Sequence, residues 1–299
     1  MRFSLILATL GDGRDIPRFL NSLLHQGDTE FELVVVDQNA DDRLVELVRQ
    51  NVWTFPVRHI RASPGLSSSR NIGMAAARGE VLGFPDDDCW YPVGFLPAVD
   101  RALRAGLDGL TCRCADPEGR LAAGGEGRRS GLVTKRNVWN RGVSATMFLN
   151  RSVVRAVGRF DQSLGLGSGT AFQSGEETDY LLRCLRQHWS VGYRADLTVH
   201  HPLPPDCRHQ AAAAKSRAYG RGMGRVLRMH GHGRFEIARH LGAPLAGAAW
   251  ALLSGDPARA KVRVARALGR WEGWRWTTPD PVPSDSATIG VGLSGAAIS

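Results

Sequence analysis

The sequence predicts an α/β fold with a mostly parallel central sheet flanked by helices, followed by a helical C-terminal extension. Three observations carry this expectation. Short apolar runs alternate with runs of helical spacing through the first hundred residues, and the run Phe31–Asp37 is hydrophobic on both of its faces. The third is a sharp change of composition and charge after residue 207. Strands buried on both sides and alternating with helices belong to βαβ units with right-handed crossovers. At 299 residues, 43% hydrophobic and 22% charged, the chain suits one large domain with a well-filled core. Collagen-like, mucin-like and small disulfide-stapled folds are excluded.

Element by element, Phe3–Thr9 reads as the first strand, and Ile16, Phe19, Leu20, Leu23 and Leu24 follow at helical spacing. Phe31–Asp37 is the second strand, 44–48 a helix, 57–60 a third strand, 69–78 a helix and 81–84 a fourth strand. The region 110–207 is less regular. It offers a Gly/Arg-rich loop at 124–131, a strand at 145–149, a helix at 152–157, a glycine-rich loop at 165–169, a helix at 176–187 and a last strand at 191–199. Two basic helices, 210–230 and 256–276, enclose an apolar stretch at 241–254, and 277–299 reads as a disordered tail. The expected domains are therefore 1–207, 208–276 and the tail.

In such sheets ligands sit at the carboxyl ends of the strands. Three features fall there: Asp37, Ser63-Pro64-Gly65, and the run Asp86-Asp87-Asp88. Consecutive carboxylates repel one another, and a hard divalent cation, Mg²⁺ or Mn²⁺, is the simplest neutraliser; a solvated acidic turn fits the same residues. Asp37 reads either as an acceptor for a base or ribose or as a turn residue. Arg70, with Asn71, reads either as a diphosphate clamp or as a surface arginine. Glu176, Glu177 and Asp179 open a helix, where the helix dipole alone favours acids; Ser174 and Glu177 have capping-box spacing, and Asp179 and Arg183 the spacing of a helix pair. One of the glutamates beside a metal would also serve as a base. His200 and His201 end the last strand and point to opposite faces, so one of them at most joins a given site. Cys112 and Cys114 lack a second pair at zinc spacing and read as buried strand residues.

Taken in order, Phe3–Thr9, Val34-Val35-Val36-Asp37, Ser69-Arg70-Asn71-Ile72-Gly73, Phe84-Pro85-Asp86-Asp87-Asp88, Gly158-Arg159-Phe160-Asp161, Gly175-Glu176-Glu177-Thr178-Asp179 and a strand-end histidine resemble family 2 inverting glycosyltransferases with the GT-A fold. The resemblance covers about residues 1–205. It implies a divalent metal on Asp86 and Asp88, with His201 before Pro202 as a further ligand, and donor contacts from Asp37, Arg70, Asn71, Asp86 and Asp87. It implies Glu177 as base, with Glu176 second, since Glu-Asp is common in the family where this chain has Glu-Glu. The implied partners are a nucleotide-sugar donor and a saccharide or lipid-linked acceptor. Two other readings compete. A nucleotidyltransferase would favour a basic glycine-rich loop after the first strand, where Leu10-Gly11-Asp12-Gly13-Arg14 is short and carries two acids. A non-catalytic, membrane-recruited protein would not need Asp86, Asp88 and Glu177.

Charge places the rest. Residues 1–207 hold 24 Lys+Arg and 24 Asp+Glu, whereas 208–275 hold 14 against three acids, a net +11. Arg259, Arg263, Arg266 and Arg270 recur as one stripe over 256–276 with Val264, Leu268, Trp271 and Trp274 on another, which suits a helix lying on an anionic membrane; a helix packed on the main domain fits as well. No basic-aromatic motif accompanies the charge, so no nucleic acid is expected. Five cysteines, with Cys89, Cys184 and Cys207 beside the two above, show no disulfide framework, and Asp12 arrives before an apolar leader is complete. A cytoplasmic protein is expected, at the inner face of the membrane if 256–276 binds lipid.

Overall fold

The computed structural model describes residues 1–49, 53–121, 129–202 and 210–277. Cys207, most of the 124–131 loop and all but the first residue of the expected tail lie outside the described residues. The elements run β1 Phe3–Thr9, α1 Ile16–Leu23, β2 Phe31–Asp37, α2 Val45–Arg49, β3 Val57–Arg61, α3 Leu66–Ala76, β4 Val81–Gly83 and α4 Phe95–Arg104. Then follow β5 Gly109–Ala115, β6 Gly131–Leu132, α5 Val138–Arg141, β7 Phe148–Asn150, α6 Arg151–Val157, α7 Glu176–Arg186 and β8 Val191–His200. Three helices close the described chain: α8 Gln210–Met229, α9 Arg234–Leu253 and α10 Pro257–Arg275.

The strands form one eight-stranded sheet in the order β3-β2-β1-β4-β7-β5-β8-β6. Pairings β1–β2, β1–β4, β2–β3 and β5–β8 are parallel; β7 runs antiparallel to β4 and β5, and β6 to β8. This is the mostly parallel, helix-flanked sheet the alternation predicts. Successive residues of β1 serve opposite faces: Leu5 and Leu7 join a core with Phe19, Leu33, Val35 and Leu96, while Ile6 joins another with Leu82, Phe84, Phe160 and Tyr180. Helix α4, with Phe95, Leu96, Val99 and Leu103 buried, escapes a sequence reading because Pro92 and Pro97 interrupt its apolar pattern. The 145–149 strand shrinks to β7, since Ser144–Thr146 is a 3₁₀ turn.

The C-terminal helices depart from expectation in one respect. Asp256 caps α10 as read, accepting from Arg259 N at 2.9 Å, with Pro257 at the first helical position. The arginine stripe, however, is only in part a free cationic face: Arg259 and Arg266 are exposed, while Arg263 and Arg270 are half-buried. Arg270 donates to His240 O at 2.6 Å, and burial pushes its guanidinium down to about 10. Arg266 Nε reaches Ser216 Oγ at 3.3 Å, and Arg263 lies against Gly247 of α9. The physical reason is glycine: a Cβ at Gly269 or Gly273 would stand 2.1 or 2.0 Å from the carbonyl of Arg217 or Arg221. Helices α8 and α10 therefore touch backbone to backbone, and Arg217 and Arg221 both pair with Glu272 across the seam. Exposed on α10 are Val264, Leu268 and Trp271 together with Arg259, Lys261, Arg266 and Arg275.

Candidate active site

The acidic turn follows β4, whose burial fixes where Asp86, Asp87 and Asp88 emerge at the sheet's carboxyl edge. The three carboxylates take three different partners. Asp86 Oδ1 lies 3.2 Å from Arg70 Nη2, Asp87 Oδ2 accepts from Thr9 Oγ1 at 2.6 Å, and Asp88 Oδ1 lies 3.0 Å from His201 Nε2. Burial pushes the Asp86 carboxyl up to about 6; Arg70 opposes this and the neighbouring Asp88 adds to it. Burial is the largest single influence against the ionised forms of Asp88 and His201, but their mutual hydrogen bond and opposite charges, with smaller contributions, together outweigh it, lowering the first and raising the second. Arg18 roofs the turn, donating to Asp88 O at 3.1 Å with its guanidinium 3.8 Å above the Trp90 ring.

Arg70 ties this turn to α7. Only 1% exposed, it places Nη1 3.0 Å from Glu176 Oε1 while holding Asp86 with Nη2. Glu176 is buried beneath the 165–169 loop, where a Cβ on Gly165 would meet its Cδ at 3.2 Å. Glu177 is half-buried, and its carboxyl is raised well above the usual range, first by burial and then by the charge of Glu176. One turn on, burial pushes Asp179 up, but a 2.8 Å hydrogen bond from His230 and the Arg183 pair at 2.9 Å together hold it below its usual value. His230 belongs to the segment after α8, so the C-terminal helices brace the start of α7. Ser174 takes part in the same junction: it donates to Tyr219 O at 2.7 Å instead of capping α7, whose cap is Gly175 in the left-handed region (φ 96°). The capping-box reading is corrected accordingly.

Two of the expected donor contacts, Asp37 and Asn71, have partners within the fold. Asp37 is fully buried, with Oδ1 accepting from Asn39 N and Nδ2 at 2.9 Å and Oδ2 facing His59 Nε2 at 2.9 Å and Arg61 Nε at 3.6 Å. Its oxygens organise the loop after β2. Asn71 spends its amide on Phe160, donating to O at 3.0 Å and accepting from N at 2.8 Å, and so pins the Phe160 segment to α3. Arg70 stands at the expected edge, but buried between two carboxylates. Of the histidines, His201 faces the acidic turn, while His200 stacks on Trp90 at 5.4 Å. Sequence reasoning missed His59, Arg18, Trp90 and His230. No local spacing flags them, since each meets its partner only through the fold.

The groups on the turn are two carboxylates and an imidazole, a set in which the carboxylates supply hard oxygen donors. Among the described residues no three His, Cys, Asp or Glu side chains converge as a closed metal cage. The residues fit the open mode in which one or two carboxylates hold Mg²⁺ or Mn²⁺ together with oxygens of a bound phosphate.

A mostly parallel α/β sheet with an acidic turn at its carboxyl edge and a glutamate pair tied to that turn is the architecture of the GT-A fold. Residues 4–148 match the profile of glycosyl transferase family 2. An uncharacterized glycosyltransferase of Haemophilus influenzae is 36% identical over 92 residues, covering 30% of this chain and 30% of that relative. The chain thus aligns with less than a third of that curated relative's length. The fold is shared with Staphylococcus aureus TarS 1-349 in complex with UDP-GlcNAc, at TM-score 0.56 and 17% identity over 91% of each chain. It is shared too with the mannosyltransferase PcManGT from Pyrobaculum calidifontis in complex with GDP-Man and Mn²⁺, at TM-score 0.63 and 14% identity over 90% of this chain and 87% of that one.

Proposed function

We propose that the chain is a glycosyltransferase that moves a sugar, with inversion, from a nucleoside diphosphate sugar to a hydroxyl of a saccharide or lipid-linked acceptor, using Mg²⁺ or Mn²⁺. In this reading 1–207 is the catalytic part and 208–276 an accessory helical part. The observation that carries it is the Arg70 bridge, which joins the acidic turn to the glutamate pair across the carboxyl edge of the sheet, in a chain that matches the family 2 profile. The bound nucleotide sugars of the TarS and PcManGT structures support the choice of donor.

Asp86 and Asp88 would hold the cation, with His201 as a further ligand; when bound, the cation supplies neutralisation of charge on the departing diphosphate. Asp88 and His201 keep each other oriented toward that position. Arg70 fixes Asp86 and Glu176 relative to one another. Glu177, more accessible than Glu176 and with a raised affinity for protons, takes the proton of the acceptor hydroxyl as that oxygen attacks from the face opposite the leaving group. Glu176 stays engaged with Arg70 at 3.0 Å.

The test is sugar transfer and donor hydrolysis with UDP- and GDP-sugars in Mn²⁺, comparing the parent with Asp88→Ala. Turnover should fall roughly a hundred- to a thousand-fold while the thermal melt is preserved. Full activity of Asp88→Ala, or no nucleotide sugar consumed by the parent, rejects the assignment.

A further inference from the structure

The outward side of α9 is apolar and bare. Phe235, Trp250 and Leu253 are 81%, 73% and 83% exposed, and Leu252 61%. At about 100° per residue Phe235, Trp250 and Leu253 fall on one side of the helix, opposite the buried Ile237, His240, Pro244, Ala248 and Ala251. Arg239 lies on that outward side, and Glu236 beside it is shared between His232 at 3.5 Å and Arg239 at 3.7 Å. Helix α10 adds Val264, Leu268 and Trp271, flanked by Lys261 and by Arg275, whose guanidinium lies 5.4 Å over the Trp271 ring. Large aromatic and aliphatic groups left contiguous in water mark a docking face.

Charge selects the occupant. Residues 210–275 carry 13 Lys+Arg and three acids, a net of 13 − 3 = +10. Two copies of such a surface would face each other with like charge, whereas an anionic leaflet offers the complement along with an apolar interior for the side chains. Among the described residues no helix is long and apolar enough to cross a membrane. We infer that α9, with the outer row of α10, docks the protein on an anionic phospholipid surface, lying in the headgroup plane with Phe235, Trp250 and Leu253 inserted.

The experiment is co-sedimentation of the full chain with phosphatidylcholine vesicles with and without phosphatidylglycerol, for the parent and for Trp250→Glu/Leu253→Glu. The parent should bind only the anionic vesicles, and less at about 0.5 M salt. The double variant should lose at least about tenfold in apparent partition, with an unchanged melt because both side chains are exposed. Absence of binding to anionic vesicles, or equal binding by the variant, overturns the inference. So does a dimer in sedimentation velocity that the two substitutions dissolve without any vesicle binding. None of these readouts depends on the transfer reaction.

Discussion

At Glu177 burial and the neighbouring Glu176 both favour the protonated carboxyl, so the group releases its proton above the usual carboxylate range. A base must be ionised to work. Transfer should therefore be slow in acid and rise with pH through that elevated value, and in Glu177→Gln the rate should fall by about 10²–10⁴ and lose this limb. Steady-state rates between about pH 4 and 9 check it; an unchanged acid limb in the variant would reassign the base. The same shift affects folding with a definite sign. A carboxyl whose folded value is raised favours the native state below its unfolded value and withdraws that support as pH climbs through the folded one. Thermal melts without metal should accordingly show Glu177→Gln above the parent at alkaline pH, the gap closing toward acid. At this scale the sequence was partly readable. The acidic turn and the glutamate pair announced themselves, because like charges set side by side ask for an explanation. Asp37 at the end of β2 and Asn71 in α3 were legible only as polar residues near the sheet's carboxyl edge, because their partners in the fold, His59 and Phe160, are fixed by tertiary contact rather than by local spacing.

Among elements, β1 to β4 and their crossovers were legible because doubly buried parallel strands leave unbroken apolar runs. The two-residue β6 was not, since so short a strand carries too little pattern to stand out, and β7 was legible only as the longer run 145–149. Helix α9 was seen only in its apolar half. The junction of α8 with α7 was invisible, resting on contacts such as Gly222 against the Ser174 carbonyl, where an added Cβ would sit at 2.0 Å. Backbone cannot yield as a flexible side chain does. Gly222→Val should therefore cost about 2–3 kcal/mol or more by denaturant unfolding, and it should depress transfer as well by displacing the first turn of α7. A variant as stable as the parent would mean the two elements are not in register there.

Over the whole molecule, composition changes at residue 207 but packing does not stop there. Val226 is buried in the same core as Phe172 and Tyr180, Trp276 packs against it, and His230 neutralises a buried Asp179. A chain ending at residue 202 should melt about 5–10 °C below the full chain, having lost apolar cover and left a carboxylate without its imidazole. An equal melting temperature would make the helices a mere appendage. In the Arg70 bridge, finally, one guanidinium answers to both walls of the cleft, so neutralising the Asp86 wall from outside leaves it to Glu176 alone. A ligand that neutralises Asp86 would thereby retune the opposite wall through the shared guanidinium.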